Sequence, residues 1–287
     1  MVAVLLACAS AALFGAMTVA LRLGLRTTPS ASLATVATIV PALGVALVAA
    51  TLDSARPGPL GIDQAWPFLL AGVLAPGGSQ ILFTLAVREA GPSRTSVAVG
   101  TAPLVAVAIA LTVLGEPVKA PLVAGAILIV AGGIALVREP GRPDHVRNIG
   151  LAYAFLATIL FASRDNLVRH LSGVSGAAEP GVAAAATLLS GTVMALVWLL
   201  RGKQRYPLRA WLSFVPAGIF FGLSYVCLFE AYYRGRVSVV APLVAMESLW
   251  GVLLSALVLR RSELVGRRLF VGAALVVSGG AVIGAFR

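Results

Sequence analysis

Two stretches, "GEPVKAPLVAGAILIVAGG" at 115–133 and "SELVGRRLFVGAALVVSGG" at 262–280, fall into register when the chain is slid on itself by 147 positions. Glu116 then lies over Glu263, Gly125 over Gly272, and Gly132 and Gly133 over Gly279 and Gly280. The same shift sets Arg22 on Arg169, "LFG" at 13–15 on "LFA" at 160–162, and Gly44 on Gly191. "AW" at 65 meets "AW" at 210 with a shift of 145, so a two-residue gap follows in the alignment. One glycine coincidence in apolar sequence carries little weight. Several in register across half the chain indicate an internal repeat.

Composition states what solvent surrounds that repeat. Hydrophobic residues make up 59% of the chain and charged residues 11%, with a mean hydropathy of +0.97. A water-soluble domain carries charge on roughly a quarter of its residues. The polar surface needed for water is missing here, and lipid is the solvent that remains.

A bilayer core is crossed by about 20 apolar residues in a helix. Ten stretches qualify: 2–21, 32–51, 66–86, 95–114, 118–137, 149–168, 181–200, 211–231, 238–259 and 267–285. "LLAC" at 5–8 resembles a lipoprotein cleavage box, but no basic segment precedes it and the apolar run continues to Leu21, which reads as a first span. The links are short and rich in Gly, Pro, Arg and Asp, as in "DSARPGPLGID" and "REPGRPDHVRN". The second of these is the midpoint, dividing the chain into 1–140 and 149–287. Alternating barrel-type strands are absent, and helices satisfy their own backbone in lipid. The expected fold is an all-α integral membrane protein, ten transmembrane helices as two five-helix repeats. Five is odd, so the second repeat enters the membrane inverted. Inverted repeats mark transporters, with substrate held between the halves near the midplane.

These features carry a resemblance. Ten spans in two halves, a Glu in each short link before a half's fifth span, and a Gly-Gly end to that span resemble the EamA-type transporters of the drug/metabolite transporter superfamily. "LGEPV" (114–118) matches the family's link, while "RRSEL" (260–264) departs from it but keeps the Glu. The resemblance implies export or exchange of small metabolites, amino acids or drugs through a central cavity between the halves.

Polar residues inside the spans sort into structural and functional candidates. Glu116 and Glu263 each open a helix, where a carboxylate complements the helix dipole, and Pro117 suits a first turn. Pro41, Pro76, Pro103, Pro216 and Pro242 should kink or interrupt their spans, and "LAPGGSQ" (74–80) is the strongest candidate for a broken helix. Four ionisable residues lie within spans: Arg164 and Asp165, Glu230, and Glu247. At such depth they face a cavity or each other. Glu247 is about 13 Å into its span by helical rise, the deepest of the four. Adjacent residues on a helix point apart, so Asp165 is expected to pair with Arg169 and Arg164 with Glu247 or Glu230. Met17, Thr18 and Gly100 occupy the positions equivalent to Arg164, Asp165 and Glu247, so the charges belong to the second half alone. Gln80, Tyr225, Tyr232 and Trp250 complete the candidate cavity, and Gln80 and Tyr225 coincide at the 145 shift.

The expected function is a secondary transporter of a small organic solute, with Glu247 meeting a cationic group on the substrate or exchanging a proton. Arg164 within ion-pair reach would favour a gate or an anionic substrate contact; out of reach, proton coupling. A membrane-embedded enzyme or a scaffold is the alternative. No catalytic residue, metal site or cofactor is expected: Cys8, Cys227, His145 and His170 show no ligand spacing, and no G-x-x-x-x-G-K-[ST] phosphate loop occurs. The net charge of +11 arises from short clusters at span ends, the pattern of topology signals, and nucleic acid is not expected as a partner. The expected partners are the small-molecule substrate and the lipid bilayer of the cell (inner) membrane, with a homodimer left open.

Links after odd-numbered spans carry Arg22, Arg26, Arg88, Arg94, Arg138, Arg142, Arg147, Arg201, Lys203, Arg205, Arg209, Arg260, Arg261, Arg267 and Arg268. The other side carries Arg56, Lys119, Arg169, Arg234, Arg236 and Arg287. By the positive-inside rule, fifteen against six puts both termini outside the cytoplasm, whereas the family resemblance implies termini inside. A reporter fused to the C-terminus checks this: the charge count predicts activity on the outer side, and cytoplasmic activity reverses it.

Overall fold

The structure is a computed structural model describing residues 1–53, 62–102, 104–105, 120–137, 147–172, 178–235, 240, 243–259 and 266–286. The segments carrying Glu116, Pro117 and Glu263, together with Pro103 and Pro242, lie outside the described residues. All regular structure among the described residues is helical. The first half contributes α1 (Val2–Thr27), α2 (Ala31–Asp53), α3 (Trp66–Gly72), α4 (Ser79–Ala90), α5 (Pro92–Val99) and α6 (Ala120–Val137). The second contributes α7 (Asn148–Leu171), α8 (Pro180–Arg201), α9 (Leu208–Leu212), α10 (Val215–Arg234), α11 (Glu247–Val258) and α12 (Arg267–Phe286). A short 3₁₀ turn spans Ile62–Gln64 and a wide π-type turn, Val73–Gly78, joins α3 to α4.

Among the described residues, six segments are long and apolar enough to cross a membrane: α1, α2, Trp66–Ala90, α7, α8 and Leu208–Arg234; Val123–Gly132 and Glu247–Val258 are shorter apolar helices. Their outward faces are oily, with Leu52, Ile127 and Leu200 all more than 60% exposed. The chain is a multi-pass integral membrane protein by this architecture, since water would not tolerate so much exposed apolar surface.

Local chemistry fixes the helix ends. α1 stops at Thr27, whose hydroxyl donates to the Gly24 carbonyl at 2.8 Å, and Thr28 turns extended ahead of Pro29. A residue before proline is driven out of the helical region. Between α4 and α5 the chain reverses at Gly91, with φ of 83°, and Pro92 opens the next helix. That φ is strained for any residue with a Cβ. α8 opens on Pro180, and the Gly181 amide donates to the Asp53 carboxylate of α2 at 2.7 Å.

Contacts repeat with the sequence register. Arg22 of α1 donates to the Val87 and Arg88 carbonyls at the end of α4; its equivalent, Arg169 of α7, donates to the Tyr232 carbonyl at the end of α10. α4 packs on α7 as α10 packs on α1, and α5 meets α7 as α11 meets α1. α6 and α12 are equivalent and cross antiparallel through their glycines. A Cβ on Gly125 would lie 2.7 Å from the Gly279 carbonyl, and one on Gly132 would lie 2.7 Å from that of Gly272. Each of these contacts becomes the other when the two halves are exchanged.

Several expectations need correction. The span at 238–259 is not one helix: a turn at Ala245–Met246 precedes a new helix starting at Glu247. The span at 95–114 starts earlier, at Pro92, and turns at Gly100–Thr101. Gly100 is the position equivalent to Glu247, so both halves are interrupted at about the same depth. The break expected at 74–80 is present, with Ala75 extended (φ −145°, ψ 123°) inside the π-type turn. α2 runs through Pro41 without interruption, where Gly218 of α10 makes room for the ring.

The α6–α12 crossing yields a paired prediction. Gly132→Ala must push a methyl into the Gly272 backbone and should cost about 1–3 kcal/mol. A Cβ on Gly44 meets nothing within 4 Å. Gly44→Ala should be neutral or stabilising by up to about 1 kcal/mol, because alanine favours the helix. Thermal unfolding of the two variants in detergent checks the contrast.

Candidate functional site

A cavity of about 80 Å³ lies among α1, α5, α7, α10 and the start of α11. At about 30 Å³ per liquid water, it holds roughly two to three waters. Its walls include Phe14 and Ser10 of α1, Phe161, Arg164, Asp165 and Asn166 of α7, Ser224, Tyr225, Leu228 and Tyr232 of α10, and Glu247. The lining comes from the early part of α1 and the late parts of α7 and α10. Gly235, just after α10, packs against Ala3, so this is the half of the membrane nearer the N-terminus.

On the opposite face an ion-pair cluster ties α4 to the start of α7. Glu89, at the end of α4, bridges Arg88 at 2.8 Å and Arg147 at 3.2 Å, and its carbonyl accepts the Arg147 amide at 2.8 Å. Between cavity and cluster, Phe14 packs edge-on against Phe83, Phe161 and Phe221 at centroid distances of 5.2, 5.9 and 6.2 Å.

The charges do not pair as expected. Arg164 Nε meets Asp165 Oδ1 at 2.7 Å, although the two are neighbours in sequence. The guanidinium folds back because its remaining space is taken by aromatic rings: its central carbon lies 4.7 Å from the Tyr225 centroid, 5.9 Å from Phe161 and 6.0 Å from Phe229. Arg169 goes to the Tyr232 carbonyl instead of Asp165, and Glu230 pairs with Arg234 one turn on. Glu247 is left over. Only 7% exposed, it forms no hydrogen bond or ion pair with any described residue.

Its position follows from packing around α11. Gly15 of α1 admits the Trp250 backbone and Cβ, Gly100 admits Ser248, and Gly251 admits Ser96. These approaches hold the first turn of α11 against the cavity. A helix start is a favourable place for a carboxylate, because its free amides and dipole offset negative charge.

Five of the eight candidate residues therefore share one cavity: Arg164, Asp165, Tyr225, Tyr232 and Glu247. The other three do not line it. Glu230 is held by Arg234, and Trp250 faces α1 across Gly15. Gln80 is fully buried, and neither end of its amide finds a hydrogen-bond partner among the described residues. The broken segment at 74–80 packs on α8, with Pro76 against Gly191 and Gly77 against Met194, so it bends the helix without reaching the cavity. Residues passed over in the sequence also line the wall. Ser10 and Ser224 exchange hydroxyl–carbonyl bonds at 3.0 and 2.9 Å, and Asn166 donates to the Ala162 carbonyl at 2.8 Å. Phe14 and Phe161 stood in the "LFG"/"LFA" coincidence, which gave a signal of repetition without one of location.

The EamA-like transporter family model matches residues 1–138 and again 148–285. The chain belongs to the EamA-like transporter family. Two family repeats thus cover nearly all of this EamA-like chain. A crystal structure of a protein with 20% sequence identity has the same fold, at a TM-score of 0.71 over 98% of this chain and 96% of its own. No curated protein matches the chain.

The Arg164–Asp165 pair generates a stability prediction. Removing one member of a buried pair leaves an uncompensated charge and typically costs about 3–5 kcal/mol, while replacing both is far milder. Asp165→Leu should lower the unfolding temperature sharply, and Arg164→Met with Asp165→Leu should recover most of the loss. Thermal melts of the single and double variants measure it.

Proposed function

We propose that this protein is a secondary transporter, an exporter or exchanger of a small organic solute such as an amino acid, metabolite or drug. It works by alternating access through the cavity between its two halves. In this reading ten spans form two five-helix units, 1–140 and 149–287, inverted with respect to one another, in the cell membrane. The observation that carries it is Glu247: a carboxyl with no partner among the described residues, on the wall of an intramembrane cavity. Structural carboxylates in lipid are paired, and one left unpaired at such depth marks a substrate or ion pathway.

The surroundings support the mechanism. Helix interruptions at equivalent depths in the two halves, at Gly100–Thr101 and Ala245–Met246, are where transporters build their sites. The cavity lies in one half of the membrane, and the Glu89 cluster with the phenylalanines behind it closes the other. A second state would open that cluster and close around Glu247. With Arg164 engaged by Asp165, Glu247 is free to exchange a proton as the substrate leaves or arrives.

Glu247→Gln keeps the shape and removes the ionisation. It is expected to fold, insert and lose transport by at least about tenfold, or to transport with a flattened pH dependence, while Glu247→Asp keeps a pH response. Uptake into proteoliposomes across a pH series measures both. Wild-type rates with an unchanged pH profile in Glu247→Gln would end the assignment.

A further inference from the structure

We infer that the solute is a monovalent organic cation: an ammonium group on a small aliphatic body. The inference rests on the reading of this cavity as the substrate site, and it adds the chemistry the site selects.

Charge balance is the first ground. Among the described residues, three of formal charge lie on the wall, Arg164, Asp165 and Glu247. Arg164 and Asp165 neutralise each other at 2.7 Å. What remains is one carboxyl with no partner among the described residues, so the cavity is complementary to a single positive charge. An anion would face Glu247 with nothing to offset it. The carboxylate of a zwitterion would have to displace Asp165 or the rings from Arg164.

The aromatic wall is the second ground, and it is independent of the first. The Arg164 guanidinium, only 2% exposed, sits against Tyr225 with Phe161 and Phe229 near 6 Å. This wall therefore already holds one desolvated cation against ring faces, an attraction that strengthens where water is excluded. Phe14 and Tyr232 line the same space. The polar contacts needed to orient a longer polar molecule are few: Ser10 and Ser224 satisfy one another, and Asn166 Nδ2 is committed to its own helix.

Size is the third. At about 80 Å³ the cavity has room for roughly two to three waters and is smaller than the ~150 Å³ that takes a benzene ring, which excludes ring-bearing bodies, nucleotides and sugar conjugates in this conformation.

Four probes share one small body and differ in charge: butylammonium, norvaline, pentanoate and butanol. Their binding to the purified protein is measured by thermal stabilisation and by displacement. The ammonium is expected to bind about 10–100-fold more tightly than the alcohol, the range of one charge-assisted hydrogen bond. Glu247→Gln should erase that difference while leaving the weak binding of the alcohol. If Glu247→Gln does not fold, Glu247→Asp carries the test: it draws the charge back by one methylene and should weaken the ammonium alone. Tightest binding of the zwitterion or the anion, or a preference for ammonium that survives in folded Glu247→Gln, overturns the inference. Counterflow in proteoliposomes separates it from the transporter reading. A bound ammonium that is not carried supports the ligand class and defeats transport; a carried anion does the reverse.

Discussion

Helices in lipid are not driven together by the hydrophobic effect, since the acyl chains are as apolar as their side chains. What holds this fold is backbone-to-backbone approach, and that requires positions without a Cβ. Gly125 and Gly132 meet Gly279 and Gly272 across α6 and α12, Gly72 admits Thr187 of α8, and Gly218 and Gly222 of α10 admit Thr38 and Ala42 of α2. Gly15, Gly100 and Gly251 do the same around α11. The consequence for function is direct, because the α11 contacts set where Glu247 stands. This cavity-wall carboxyl is positioned mainly by glycines that do not line the cavity.

The second constraint is the cost of charge away from water. Arg164, Asp165, Glu230, Arg234 and Glu247 all lie on spans, and four of them pair off. The pairing obeys proximity and crowding more than helical direction. Three aromatic rings leave the Arg164 guanidinium a single route, back along its own helix to Asp165. The remaining carboxyl acquires its meaning by subtraction. Had Arg164 reached it, Glu247 would be half of a helix-linking ion pair with little left to offer a solute.

Duplication explains the economy of the design. Equivalent arginines, Arg22 and Arg169, tie the ends of equivalent helices by the same kind of bond. Phe14 and Phe161 meet at 5.9 Å on the cavity wall. The halves differ where the chemistry is: Met17, Thr18 and Gly100 stand where the second half has Arg164, Asp165 and Glu247. One copy supplies packing, and its partner supplies both packing and charge.

Much of this was legible in the sequence. Apolar runs with few charges leave lipid as the only solvent, and a register of glycines and arginines survives any folding detail, so class, repeat and family could be read before the fold. Pairing was not. Whether Arg164 goes to Glu247, Glu230 or Asp165 depends on which side-chain volumes crowd it, and those come from α7 and α10 folded together. Gln80 and Trp250 looked like cavity residues because polar and aromatic groups in spans usually are. Their rotation about the helix axis, set by neighbours such as Gly15, turned them elsewhere. The turn that starts a helix at Glu247 was likewise invisible within a continuous apolar run. Composition and periodicity determine what a span is made of and how long it is; only the packed tertiary structure decides which way each side chain faces and what it finds there.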